Sequence, residues 1–179
     1  MKKLAFLSSF LITFMFVLGA CSSDDTPPSG NDPVQFDIEF RVYAAANSIV
    51  TSESTTSPIQ LSNVLSSSNK DKVSYIKSSA IIRKDSYISV SGLPVGATLN
   101  NIVFSTLDKG VNFQLPATIV SKDTIFYDDA YTDLLKSIGD YMASKKSITL
   151  SATYRAGNID ISNGLIQLHI STAFKWGND

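Results

Sequence analysis

One histidine, two glutamates and one cysteine are the scarce side chains from which this chain could build chemistry. His169 is the sole imidazole and so the sole candidate base for a nucleophile–histidine–acid triad. It stands between Leu168 and Ile170 in an alternating segment, on the opposite face, and no Gly-x-Ser-x-Gly elbow accompanies it. We read it as a solvent-facing strand residue. Glu39 and Glu53 are the only glutamates, and a glycosidase pair depends on their separation in space rather than in sequence. Glu39 falls on the outer face of a strand, which disfavours that role. Asn158-Ile159-Asp160-Ile161-Ser162-Asn163-Gly164, with one acid and two amides, superficially suggests a calcium loop. Its glycine comes one place late and no glutamate follows at the twelfth position, so it reads as a loop between strands. A single cysteine leaves the monomer without a disulfide or a Cys-based zinc site, and one histidine denies it a multi-His metal site. There is no glycine-rich phosphate loop and no dinucleotide fingerprint. No catalytic residue, metal or cofactor is expected from these residues.

The cysteine has a different context. Met1-Lys2-Lys3 is a basic start, Leu4 to Val17 is apolar apart from Ser8, Ser9 and Thr13, and Leu18-Gly19-Ala20-Cys21 follows. The apolar run is short for a transmembrane helix and ends in small residues, the pattern of a cleaved signal. The last four residues resemble the lipobox of bacterial lipoprotein precursors. That resemblance implies cleavage between Ala20 and Cys21, a diacylglycerol on the Cys21 thiol and an acylated amine. Two acyl chains suffice for stable anchoring, since each buried CH₂ contributes about 0.8 kcal/mol. Ser22-Ser23-Asp24-Asp25 is similar to the short acidic export tag of surface-displayed Bacteroidetes lipoproteins, with fewer acids than usual. The expected location is therefore the outer membrane, exposed at the cell surface, with the lipid bilayer as a partner through Cys21. Asp123-Thr124-Ile125 is similar to the Asp-Ser/Thr-aliphatic acceptor for O-glycosylation in the same bacteria, which would place a sugar on Thr124.

Composition narrows the rest. Of 179 residues, 15 are Lys or Arg and 16 are Asp or Glu. Removing residues 1–20 takes Lys2 and Lys3 away, leaving 159 residues with 13 basic and 16 acidic, a net charge of −3. That balance lacks the basic face needed to neutralise phosphates, so nucleic acid is not an expected partner. The remaining length suits one domain large enough to bury a core without a staple. Residues 21–33, with Thr26-Pro27-Pro28-Ser29-Gly30-Asn31-Asp32-Pro33, read as a tether: proline stiffens it, and its small polar residues have nothing to bury.

The positioning elements are read from periodicity. In Val34–Tyr43 the residues Val34, Phe36, Ile38, Phe40 and Val42 alternate with Gln35, Asp37, Glu39 and Arg41, the pattern of a half-buried strand. Ile148–Arg155 and Ile166–Trp176 alternate similarly around a polar link, which suggests a long antiparallel hairpin. Ile76–Ile82 and Tyr87–Ser91 are either two strands or one bent one. Asn101–Leu107 is a strand closed by the Asp108-Lys109-Gly110 turn, and shorter strands are expected at 111–115, 118–120 and 124–127. Leu61–Ser67 could form a single helical turn. Tyr131, Leu134, Leu135, Ile138 and Met142 recur at helical spacing, with Asp128 and Asp129 ahead and Lys145 and Lys146 behind. We expect a crossover helix near 130–144. The whole is an all-β fold, a two-layer immunoglobulin-like β-sandwich spanning residues 34–179. Tyr87 is its candidate exposed aromatic, and Trp176 shares parity with the core. The expected function is a surface-displayed, non-catalytic binding or adhesion module for a protein or glycan ligand. The alternatives are a subunit of a fimbria-like assembly, in which the first strand would exchange between copies, and an enzyme on a sandwich scaffold.

Overall fold

The computed structural model describes residues 28–116, 118–120, 124–126 and 128–177. Its longest feature is a pair of strands. β1 (Gly30–Ala44) and β12 (Ile161–Trp176) run antiparallel from Gly30 opposite Trp176 to Ala44 opposite Ile161, with one irregularity near Val42. Ile38, Phe40 and Val42 are fully buried on one face, as their alternation requires. The strand starts earlier than the tether boundary expected at residue 33. Pro33 lies inside it, opposite Ala173. The physical reason is that β1 ends the order of its sheet. The Glu39 carbonyl, of the same parity as Pro33, accepts from Thr55 N–H on the side away from β12. Proline there removes no bond of the β1–β12 ladder.

The first sheet has the order β1-β12-β5-β9, with β5 at Tyr87–Ser91 and β9 at Thr124–Phe126. β4 (Ile76–Ile81) pairs with β12 beside Thr172–Trp176, while β5 pairs beside Leu165–His169. The two are one line along β12, broken at Arg83–Asp85 by a 3₁₀ turn. Ser86 mends the break. Its buried hydroxyl accepts from Ser171 N–H at 3.0 Å, and lies 3.1 Å from the Ser171 carbonyl and 2.9 Å from that of Ile82, both acceptors for its proton.

The second sheet has the order β2-β11-β6-β7, formed by Ile49–Glu53, Ser151–Ala156, Thr98–Ser105 and Asn112–Gln114. β8 (Ile119–Val120) continues the line of β7 along β6. β3 (Ile59–Gln60) and β10 (Ser147–Ile148) form a separate short pair. The long hairpin expected near the C-terminus does not form. β11 and β12 are consecutive, yet β11 pairs with β2 and β6 and β12 with β1, β4 and β5. Both strands bury a full apolar face, and crossing to opposite sheets lets those faces meet across the core instead of lying side by side. β2 was not expected at all.

The two sheets form the expected all-β, two-layer sandwich. Phe40 of the first sheet meets Phe104 of the second with ring centroids 5.5 Å apart and a 53° tilt, a favoured aromatic geometry. Taking β4/β5 and β7/β8 as single broken strands, each sheet has four ladder positions. Their order is that of a double Greek key, a jelly roll. "Immunoglobulin-like" thus describes the layering and not the strand order.

The first sheet is longer than the second: β1 and β12 have 15 and 16 residues against 5, 6 and 8 in β2, β11 and β6. The helix Asp129–Lys145 packs on the overhang, chiefly on β4. It carries the chain from β9 to β10 and β11, the crossover expected at 130–144. Asp128 caps it by accepting from Tyr131 N–H at 3.3 Å. Leu134, Leu135, Ile138 and Met142 are fully buried. Gly139 gives the close approach: a Cβ there would stand 2.7 Å from Ser79 Oγ, which donates to Asp140 Oδ1 at 2.8 Å. At the other end Lys146 adopts a left-handed backbone, φ 66°, and its ammonium bonds the carbonyls of Ile76 and Ala143. Burial lowers its pKa. The described helices include none long and apolar enough to cross a membrane.

Candidate functional site

The sequence-derived candidates do not converge. Ala20 and Cys21 lie outside the described residues, as does Asp123 of the glycosylation tripeptide. The Thr124 backbone is in β9, opposite Val90. Glu39 and Glu53 belong to different sheets. Glu39 accepts from Gln167 Nε2 at 3.3 Å, and Glu53 is at the end of β2. Asp160 accepts from Ala46 N–H at 2.7 Å, so its carboxylate ties the link between β11 and β12 to the loop after β1. Among the described residues, no three His, Asp or Glu side chains gather as a metal cluster would.

His169 lies on the outer face of the first sheet, as its parity requires, between the buried Leu168 and Ile170. Its register neighbours are Asp37 on β1 and Tyr87 on β5. Nδ1 is 2.5 Å from Asp37 Oδ1, and the ring stacks on Tyr87 with centroids 4.7 Å apart and a 20° angle. Tyr87, the expected exposed aromatic, is half-buried in this row. The imidazole is held by an acid and an aromatic, with no serine, threonine or cysteine opposite it in register. Trp176 is 8% exposed and donates Nε1–H to the Pro28 carbonyl at 2.9 Å, in keeping with its core parity.

A groove of about 660 Å³ opens where the second sheet meets the helix. Its volume falls within the range of small-ligand sites. Glu53, Ser151 and Ser105 stand opposite one another on β2, β11 and β6, so part of the lining is a polar row crossing three strands. One wall is the turn 106–111. The other comprises Tyr141 and Lys145 of the helix with Ser147 and Thr149 beyond it.

Asp108 organises that turn. Its Oδ1 accepts from Thr106 Oγ1 at 2.8 Å and from Gly110 N–H at 3.1 Å, and Oδ2 accepts from Tyr141 at 3.2 Å. Lys145 Nζ is 4.0 Å from Oδ2. The Thr106 hydroxyl, foremost among these donors, lowers the Asp108 pKa. Burial, and then the Asp108 carboxylate, raises that of the Tyr141 phenol. Asp108 is thus a fixed anion, and Tyr141 a fixed donor to it. Gly110 makes the contact possible, because a Cβ there would lie 2.6 Å from the Tyr141 ring. Leu107, at the tip, is 98% exposed.

This site left almost no trace in the sequence. Asp108-Lys109-Gly110 was legible only as a turn, and Tyr141 and Lys145 only as helix residues off or beyond the apolar stripe. The one local signal was Thr106-x-Asp108-x-Gly110, a spacing that lets an Asp side chain close a turn on its neighbours. The strand row is not local and left no signal.

No family model matches this chain, and no curated protein matches it. Among solved structures it is similar to one titled Desmodium yellow mottle tymovirus. The identity is 7% and the TM-score 0.36, over 84% of this chain and 91% of that one, a likeness too slight to support any argument about function.

Proposed function

We propose that this chain is a lipid-anchored, surface-displayed lipoprotein whose sandwich is a non-catalytic binding or adhesion module. The observation that carries the binding role is the groove between the second sheet and the helix. Its lining offers hydroxyls, a fixed carboxylate and two ammonium groups, a set suited to holding a ligand by hydrogen bonds. The anchoring role is carried by Leu18-Gly19-Ala20-Cys21. The fimbria-like alternative draws no support from β1, which is paired with β12 of its own chain from end to end.

Two measurements test the two halves. Cells fed a labelled fatty acid should transfer label to the wild-type protein and not to Cys21→Ala, and protease added to intact cells should remove the domain. Label retained by Cys21→Ala, or a domain protected in intact cells, overturns the anchored, surface-displayed reading. For binding, the full-length protein in detergent is applied to an array carrying neutral glycans, peptides and anionic polymers. Saturable binding to one class, weakened by Ser151→Phe in the lining row, is expected. An array on which Ser151→Phe changes nothing overturns the binding role of the groove.

A further inference from the structure

We infer that the groove receives a neutral, hydroxyl-rich ligand, a glycan segment lying across the strands of the second sheet. This deepens the binding role proposed above and rests on it. Three observations on the groove lead to it.

The first is charge. Glu53 and Asp108 face Lys109 and Lys145 around the same opening, so the formal charges cancel. A polyanion drawn in by the two lysines would meet two carboxylates, one of them locked in place. A polycation would meet the reverse. Neither gains from such a surface, because electrostatic complementarity requires one sign to prevail.

The second is the kind of polar atom. Ser105, Ser147 and Thr149 supply side-chain hydroxyls able to donate and to accept, and Ser151, whose hydroxyl donates to the Ser105 carbonyl at 3.3 Å, supplies a further acceptor. Sugar hydroxyls have the same double capacity. A carboxylate accepts only and an ammonium donates only, so the four charged groups fix which ligand hydroxyl donates and which accepts. An apolar ligand would strip these groups of water without replacing the bonds.

The third is direction. The Glu53–Ser151–Ser105 row runs perpendicular to the strands. An extended peptide gains its affinity by pairing along a strand edge. Here the lining atoms are side chains on a sheet face and on a helix, so a peptide has no backbone ladder to join. The exposed Leu107 and the Tyr141 ring at the turn add apolar surface of the kind a sugar ring covers with its C–H face.

The test uses the array described above, with maltoheptaose, cellohexaose, xylohexaose and N-acetylchitohexaose as neutral glycans, heparin and polyphosphate as polyanions, and a random peptide set. The expected result is saturable binding to at least one neutral glycan that survives high salt. Ser151→Phe and Thr149→Phe should each weaken it by about tenfold or more, the loss of one or two hydrogen bonds. Arg41→Ala, on the far sheet, should leave it unchanged. Melting curves accompany each variant, and either phenylalanine variant that melts like the wild type suffices to decide. Groove-dependent binding to heparin, polyphosphate or a peptide, with the glycans silent, overturns the glycan inference and leaves the binding module standing. Binding that neither folded phenylalanine variant alters overturns both.

Discussion

Ser86 shows how much one hydroxyl can carry in this molecule. At the break between β4 and β5 it supplies the acceptor for the Ser171 N–H that a continuous strand would have provided. Ser86→Ala leaves that buried N–H unpaired, at a cost of about 1–3 kcal/mol. Urea unfolding should report the loss, and Ser89→Ala on the outer face should cost far less. Asp108 makes a prediction in pH. Its folded pKa lies below the ordinary value of 3.8, first because Thr106 donates to it. Its contribution is therefore complete above that ordinary value and disappears as pH falls through the folded one. The stability difference between wild type and Asp108→Asn should be constant near neutrality and shrink below about pH 4, in melting curves taken across the acid range. An unchanged difference at pH 2 to 3 would contradict the hydrogen-bonded carboxylate.

Among the elements, the helix 129–145 was the most legible and the strand pairing the least. Its apolar residues recur every three or four positions, its cap is a local Asp, and its end carries lysines, so sequence distance and spatial distance coincide. Strand parity was equally clear in β1, β11 and β12. Parity says which face is buried and nothing about the neighbour, which is why two consecutive alternating segments read as a hairpin when they belong to opposite sheets. β2 was missed because Ile49-Val50-Thr51-Ser52-Glu53 is a short terminal strand, exposed or half-buried throughout, with weak contrast between its faces. The helix–sheet contact yields a prediction whose sign changes with its neighbour. Alanine outranks glycine in a helix by about 1 kcal/mol. At residue 139 the added methyl meets Ser79 Oγ, which its bond to Asp140 holds in place. Gly139→Ala should therefore destabilise the wild type and stabilise the Ser79→Ala background, a coupling visible in a double-mutant cycle. Additive effects would show that the approach is not tight.

At the scale of the molecule, the sandwich closes through side chains that no local pattern links. Phe40 and Phe104 come from opposite sheets and from segments more than sixty residues apart. Phe104→Ala should cost about 3–5 kcal/mol, and circular dichroism and tryptophan fluorescence should follow one shifted transition. Separate transitions for the two signals would mean that the overhang and the sandwich unfold as independent units. The groove belongs to this scale as well. Its lining is assembled from β2, β6, β11, a turn and the helix, so it exists only once both sheets and the crossover are in place. That is the physical reason the sequence revealed the fold class and left the site unread.

The pairing of β1 with β12 from one end to the other also has a mechanical side. Bonds between antiparallel strands lie across the strand direction. A pull delivered through the segment before Gly30 and directed along β1 therefore loads the ladder in shear, with every bond sharing the force. The same pull directed across the sheet would unzip them singly, beginning where Gly30 faces Trp176. A chain held by its N-terminal end in flowing liquid would be strong in the first geometry and weak in the second. Single-molecule stretching from residue 28 against an attachment at residue 161, at the far end of β12, and then against one at residue 177, should give a high rupture force followed by a low one.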